Sequence, residues 1–85
     1  MVTLEAQRVN RKMTLRRART QLGLTQEELG ARAGLHPSII SRSERGLAIS
    51  PLSAWPILKA LNVEREKQKL PPLEYEQMDW KTQGE

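Results

Sequence analysis

Between Thr25 and Pro37 the chain has little choice but to make two short helices joined by a sharp turn. Thr25 can cap a helix, and Glu28, three residues later, can reach back to the amide of the cap. Leu24 before the cap and Leu29 at the fourth helical position form a hydrophobic staple. Gly34 ends the helix where a left-handed residue is cheapest. Only Leu35 and His36 follow before Pro37, and proline is favoured at the first position of a helix. Leu35 and Ile40 supply a second staple, and the second helix runs to about Arg45 before Gly46 stops it. Two helices, 26–33 and 37–45, joined by a three-residue glycine turn must cross steeply, so the second one projects.

The rest of the chain also reads as helices punctuated by glycine and proline, without period-two strand signals. A first helix starts near Thr14, with Leu15, Ala18 and Leu22 on one face and Gly23 at its end. Ala6, Val9 and Met13 are also helically spaced, but their stripe points the other way, so residues 1–13 form a separate arm or short helix. A fourth helix is expected over 54–61, with Ser53 as cap, Pro56 in the first turn and Ala54, Ile57, Leu58 and Leu61 inward. Asn62 fits a left-handed exit and Val63 returns to the core. A fifth, charged helix then runs to Leu70, where Pro71 and Pro72 break it. The expected fold is all-α with five helices: an arm (1–13), a domain (14–63) and a charged helix with C-terminal extension (64–85).

Eighty-five residues form one domain, and a chain this short buries only roughly 60% of its unfolded surface. Cysteine is absent, so neither a disulfide nor a thiolate metal site can add stability. No apolar run approaches the ~20 residues of a membrane span, and no signal-peptide core is seen, so a soluble cytoplasmic protein is expected. With one histidine and no glycine-rich phosphate loop, the chain is expected not to be an enzyme and to need no metal or cofactor. The net charge of +4 is uneven. Residues 1–46 carry nine bases against four acids, and residues 47–85 five against six. A basic half suits a polyanion partner, although it also suits a domain that charge merely solubilises.

The run LRRARTQLGLTQEELGARAGLHPSIISRSERG, with PLSAWPILKALNV behind it, resembles the Cro and phage-repressor (XRE) helix-turn-helix family. The resemblance covers 15–63 and rests on the coincidence of Leu24-Thr25-Gln26, Gly34, Ile40-Ser41 and Glu44-Arg45-Gly46. It implies a five-helix fold, binding of double-stranded DNA, a homodimer on a palindromic operator, and repression. Three positions depart from the family. Gly30 replaces the usual alanine between the helices, Ser43 replaces a large apolar residue, and Pro37 lacks a side-chain donor where a base is often touched.

On the second helix of the motif, Ile40 and Ser43 face inward by period, and Ser38, Ser41, Arg42 and Arg45 face outward. The resemblance makes Ser38 and Arg42 base-reading positions, with Pro37 and Ser41 beside them. Arginine can grip guanine O6 and N7 with two hydrogen bonds, and Pro37 can meet only a thymine methyl. Gln26, at a helix start with an exposed amide, suits a phosphate or is a plain first-turn residue, and the resemblance implies a phosphate contact and a brace for the recognition helix. His36 either caps that helix or neighbours a phosphate. Arg16, Arg45, Ser50 and Ser53 are candidate phosphate contacts whose bland alternative is simple solvation. Arg8, Arg11 and Lys12 form either a minor-groove arm or a mobile basic tail. Arg19 and Glu44 are implied to pair beneath the DNA-binding face.

One recognition helix reads few base pairs, so a two-fold dimer is expected through the fourth helix and the C-terminal segment, using Trp55, Val63, Leu70, Leu73 and Trp80. The segment 70–80, with Leu73, Tyr75, Met78 and Trp80, packs on its own domain or its dimer mate. The competing expectation is an antitoxin that masks a toxin with this segment while its helix-turn-helix autoregulates.

Overall fold

A computed structural model describes residues 12–84. In chain order these form β1 (Met13–Thr14), α1 (Leu15–Gln21), α2 (Gln26–Ala33), α3 (Pro37–Glu44), α4 (Pro51–Lys67), a 3-10 turn (Tyr75–Gln77) and β2 (Met78–Asp79). The local signals of the N-terminal half act as their chemistry requires. The Thr14 hydroxyl accepts from the Arg17 amide and starts α1. Thr25 and Glu28 close a reciprocal capping box on α2, and Gly34 ends it at φ 71°.

Gly30 lies where α2 meets the turn into α3. A methyl group there would sit 2.8 Å from the Leu35 carbonyl oxygen and 3.3 Å from the Pro37 nitrogen. The backbones approach more closely than an alanine would allow without a shift. This contact sets how steeply α3 leaves α2.

Four helices, not five, are present among the described residues. The cap of α4 is Ser50, whose hydroxyl accepts from the Leu52 amide, and Pro51 follows at the first position. Ser53 is therefore inside the first turn, and its amide donates to the Ser50 carbonyl at 2.8 Å. Pro56 sits well inside the helix, where its ring removes one i→i−4 bond, a local cost that burial of Ile57, Leu58 and Leu61 offsets. Asn62 does not leave the helix either. Its side-chain amide spans the gap to the C-terminal segment, accepting from the Leu73 amide at 2.8 Å and donating to the Leu73 carbonyl at 3.0 Å. With no exit at Asn62, the charged stretch continues the same helix, and the expected fifth helix is the second half of α4. Val63 is exposed rather than in the core.

The core is aliphatic: Leu15, Leu29, Ile40, Ile57 and Leu61 are its largest fully buried side chains. The C-terminal segment closes it. Leu73 and Met78 are buried, and Leu70, Tyr75 and Trp80 pack against the same cluster. Tyr75 stacks on Trp55 at 4.5 Å and meets Trp80 edge-on at 5.4 Å. Leu70, Leu73 and Trp80, expected to face a dimer mate, are thus spent largely on the domain's own core. β2 pairs in parallel with β1, and Thr82 bridges Ile49 in the loop after α3. Toward the other end of α4 lies Arg65, 4% exposed, which donates to the Pro71 carbonyl at 2.7 Å and to Gln21 Oε1 at 2.9 Å. No helix among the described residues is long and apolar enough to cross a membrane.

Candidate nucleic-acid interface

α3 separates by period into two faces. Ile40 and Ser43 are buried; Ser38, Arg42 and Arg45 are exposed, and Pro37 and Ser41 are half-buried beside them. The N-terminus of α3 is fixed by His36, whose Nδ1 accepts from the Ser38 amide at 3.1 Å and lies 2.9 Å from the Ser38 hydroxyl. A neutral ring accepting at Nδ1 carries its proton on Nε2, so His36 can both cap and donate outward. Arg42 bends back, its Nε donating to the Ala48 carbonyl at 2.9 Å, which ties the exposed face to the following loop. Between α2 and α3 opens a groove of about 470 Å³, lined by Thr25, Gln26, Glu27, Pro37, Ser38 and Ser41 among others.

Under this face sits a charged brace. The Glu44 side chain is fully buried, and Arg19 reaches both its oxygens, Nε to Oε2 and Nη2 to Oε1. Gln26 Nε2 donates to Glu44 Oε1 at 3.0 Å, and Arg16 lies 3.5 Å from the same atom. A third Arg19 donor holds the Leu24 carbonyl at 2.8 Å. One carboxylate therefore joins the end of α3 to α1 and to the start of α2. Burial pushes the Glu44 carboxyl up, but the Arg19 and Gln26 hydrogen bonds and the Arg19 charge outweigh it and hold the group below its ordinary value. The hydrogen bond to Glu44 raises Arg19, against the opposing pull of its own burial.

The brace changes how Gln26 can act. One N–H of its side-chain amide is spent on Glu44, which leaves the second N–H and the main-chain amide at the start of α2 to meet a phosphate. Arg16 projects on the same side, its side chain 68% exposed. Arg45 is exposed at the end of α3, and Ser50 and Ser53 are half-buried at the start of α4, with the Ser50 hydroxyl occupied as a cap. Arg8 and Arg11 lie outside the described residues; Lys12 is exposed. Ser43 is buried with no partner for its hydroxyl, which is what a serine costs at a position suited to an apolar side chain.

Sequence reasoning misses the strap. From Met78 to Gln83 its residues alternate inward and outward, with Met78, Trp80 and Thr82 covered and Asp79, Lys81 and Gln83 exposed. That short period-two run is the one signal that could have found it.

A family model described as helix-turn-helix matches residues 15–68, all four helices and well over half of the chain. No curated protein and no solved structure matches it.

Proposed function

The chain belongs to the Cro and phage-repressor (XRE) helix-turn-helix family and is a DNA-binding regulator, and on that premise we propose that it represses transcription as a homodimer on a palindromic operator. α3 enters the major groove and reads bases with Ser38, Arg42 and the neighbouring Pro37 and Ser41. The phosphates on either side are held by the start of α2, by Arg16 and Arg45, and by the loop leading to Ser50. One observation carries the reading: the only acid on α3, Glu44, is turned inward and neutralised by Arg19, so the outward face offers DNA donors and no carboxylate.

The homodimer is supported by what the fold leaves uncovered. Leu52, Trp55 and Val63, exposed by 85%, 56% and 45%, lie along α4 at helical spacing. Such a patch suits a two-fold contact placing two recognition helices ~34 Å apart. An antitoxin role would need a free partner segment, whereas Leu73 and Met78 are already consumed by this domain. Deletion after Val63 would cut α4 and strip the core, so substitution is the cleaner test. DNA selected from a random pool should show two inverted half-sites, and Trp55→Glu should reduce binding to one half-site at a time. A selected site without two-fold symmetry would refute the dimer.

A further inference from the structure

The strap that closes the core also runs beside the loop leading from α3 to α4. Ile49 donates to the Lys81 carbonyl at 3.0 Å and accepts from the Gln83 amide at 2.9 Å. Thr82 is the residue in register with Ile49. Paired residues in a parallel bridge share a face, so Ile49 and Thr82 point inward together. Lys81 and Gln83 then point outward, on the face that also carries Ala48 and Ser50. Ala48 is the residue whose carbonyl receives Arg42 from the recognition helix. Strap, loop and reading face are therefore continuous.

A second feature places Lys81 more closely. A concavity of about 180 Å³ lies against the C-terminal end of α3, and Lys81 and Arg16 both line it. Its lining also includes Ser43 and Trp80, whose hydroxyl and indole N–H are buried without partners. Two acids belong to the lining, Glu44 and Asp79. Glu44 is engaged by Arg19 at both oxygens and by Arg16 through one long contact of 3.5 Å, so Arg16, Arg19 and Lys81 exceed Glu44 and Asp79 by one charge and the rim favours an anion.

We propose that Lys81 and Arg16 together clamp a DNA backbone phosphate beside the C-terminal end of the recognition helix, making the strap part of the DNA interface. The inference rests on the DNA-binding reading and adds to it a contact contributed by a segment after the helix-turn-helix. Parallel pairing to Ile49 fixes the Lys81 backbone, so little chain entropy remains to be lost when its ammonium meets a phosphate. A phosphate contact carries no base preference, so the strap should raise affinity for every sequence alike.

The test is titration of a random-sequence duplex and of the selected operator with the wild-type chain, Lys81→Ala and, as a control, Lys67→Ala. The Lys81 side chain is exposed and its backbone bonds survive the substitution, so the fold should remain, as circular dichroism would verify. Lys81→Ala should weaken both duplexes equally. Its deficit against wild type should shrink about three- to fourfold between roughly 50 and 200 mM salt, the share of one phosphate. Lys67→Ala should change neither affinity nor salt slope. If Lys81→Ala binds like wild type at both salt concentrations while Arg42→Ala loses the operator, the clamp is refuted and the reading of α3 stands. If the wild-type chain binds neither duplex, the DNA-binding reading fails and the clamp with it.

Discussion

Two arginines anchor opposite ends of the described chain, Arg19 part-buried and Arg65 buried, and their partners differ. Arg19 sits under the recognition helix and meets a carboxylate, Glu44. Arg65 sits near the end of α4, under the turn at Pro71, and among the described residues meets neutral acceptors, the Pro71 carbonyl and the Gln21 amide oxygen. Each joins segments far apart in sequence, since Arg19 ties α1 to α3 and Arg65 ties α4 to α1 and to the C-terminal turn. The ion pair is the stiffer and more directional link, because a guanidinium fork matches a carboxylate with two bonds. It is placed where orientation matters to binding. The neutral link holds a covering segment, whose exact tilt matters less to the reading face.

The sharpest way to break this comparison is to remove each arginine in turn. Arg19→Met leaves Glu44 buried without its main counter-charge and should cost about 3–5 kcal/mol at neutral pH in denaturant unfolding. The pair also makes an acid signature. The folded Glu44 carboxyl lies below its ordinary value of 4.5, so its contribution is fully present above that pH. It drains away as the pH falls through the folded value. Glu44→Gln should flatten the loss of stability below pH 4.5, and an unchanged acid profile would show that the pair is not what acid breaks.

Arg65→Met comes next. It deletes two hydrogen bonds but leaves no orphaned charge, so about 1–3 kcal/mol should be lost. The substitution removes no titrating partner, because a carbonyl and an amide do not ionise, and the acid profile should keep its shape. A loss equal to that of Arg19→Met would erase the proposed difference between the two anchors.

Gly30→Ala is the smallest effect. The new methyl meets the Leu35 carbonyl oxygen at 2.8 Å, a backbone atom that cannot swing aside. Overpacking of about 1–3 kcal/mol is offset by roughly 1 kcal/mol of helix propensity, leaving a net loss near ~1 kcal/mol. A gain in melting temperature would show that the α2–α3 turn relaxes at little cost.

The same contrast explains what the sequence reveals. Around α2 and α3 every boundary is set by residues within three or four positions of it: Thr25 with Glu28, Gly34, and His36 with Ser38. Such signals survive in one dimension. α4 is set from afar. Asn62 looks like a helix exit until Leu73, eleven residues on, supplies both partners for its amide. Arg65 looks like one more solvated charge until Pro71 and Gln21 enclose it. In the site, the two faces of α3 follow from period alone, and the Arg19–Glu44 pair is implied only by family resemblance. The return of Arg42 to Ala48 is invisible in the sequence because it depends on the path of the loop. The strap pairs with residues more than thirty positions away, and its six-residue alternation is too short to stand out.

The central claim is that the outward face of α3 reads bases, and Arg42 tests it most directly. Once an operator has been selected from random DNA, Arg42→Ala should cost about 1–3 kcal/mol on it and relax the preference at one base position. On random-sequence duplex the loss should be smaller, that of one exposed positive charge. Equal losses on operator and random DNA, with the base preference intact at every position, would contradict the account and leave Arg42 a backbone contact.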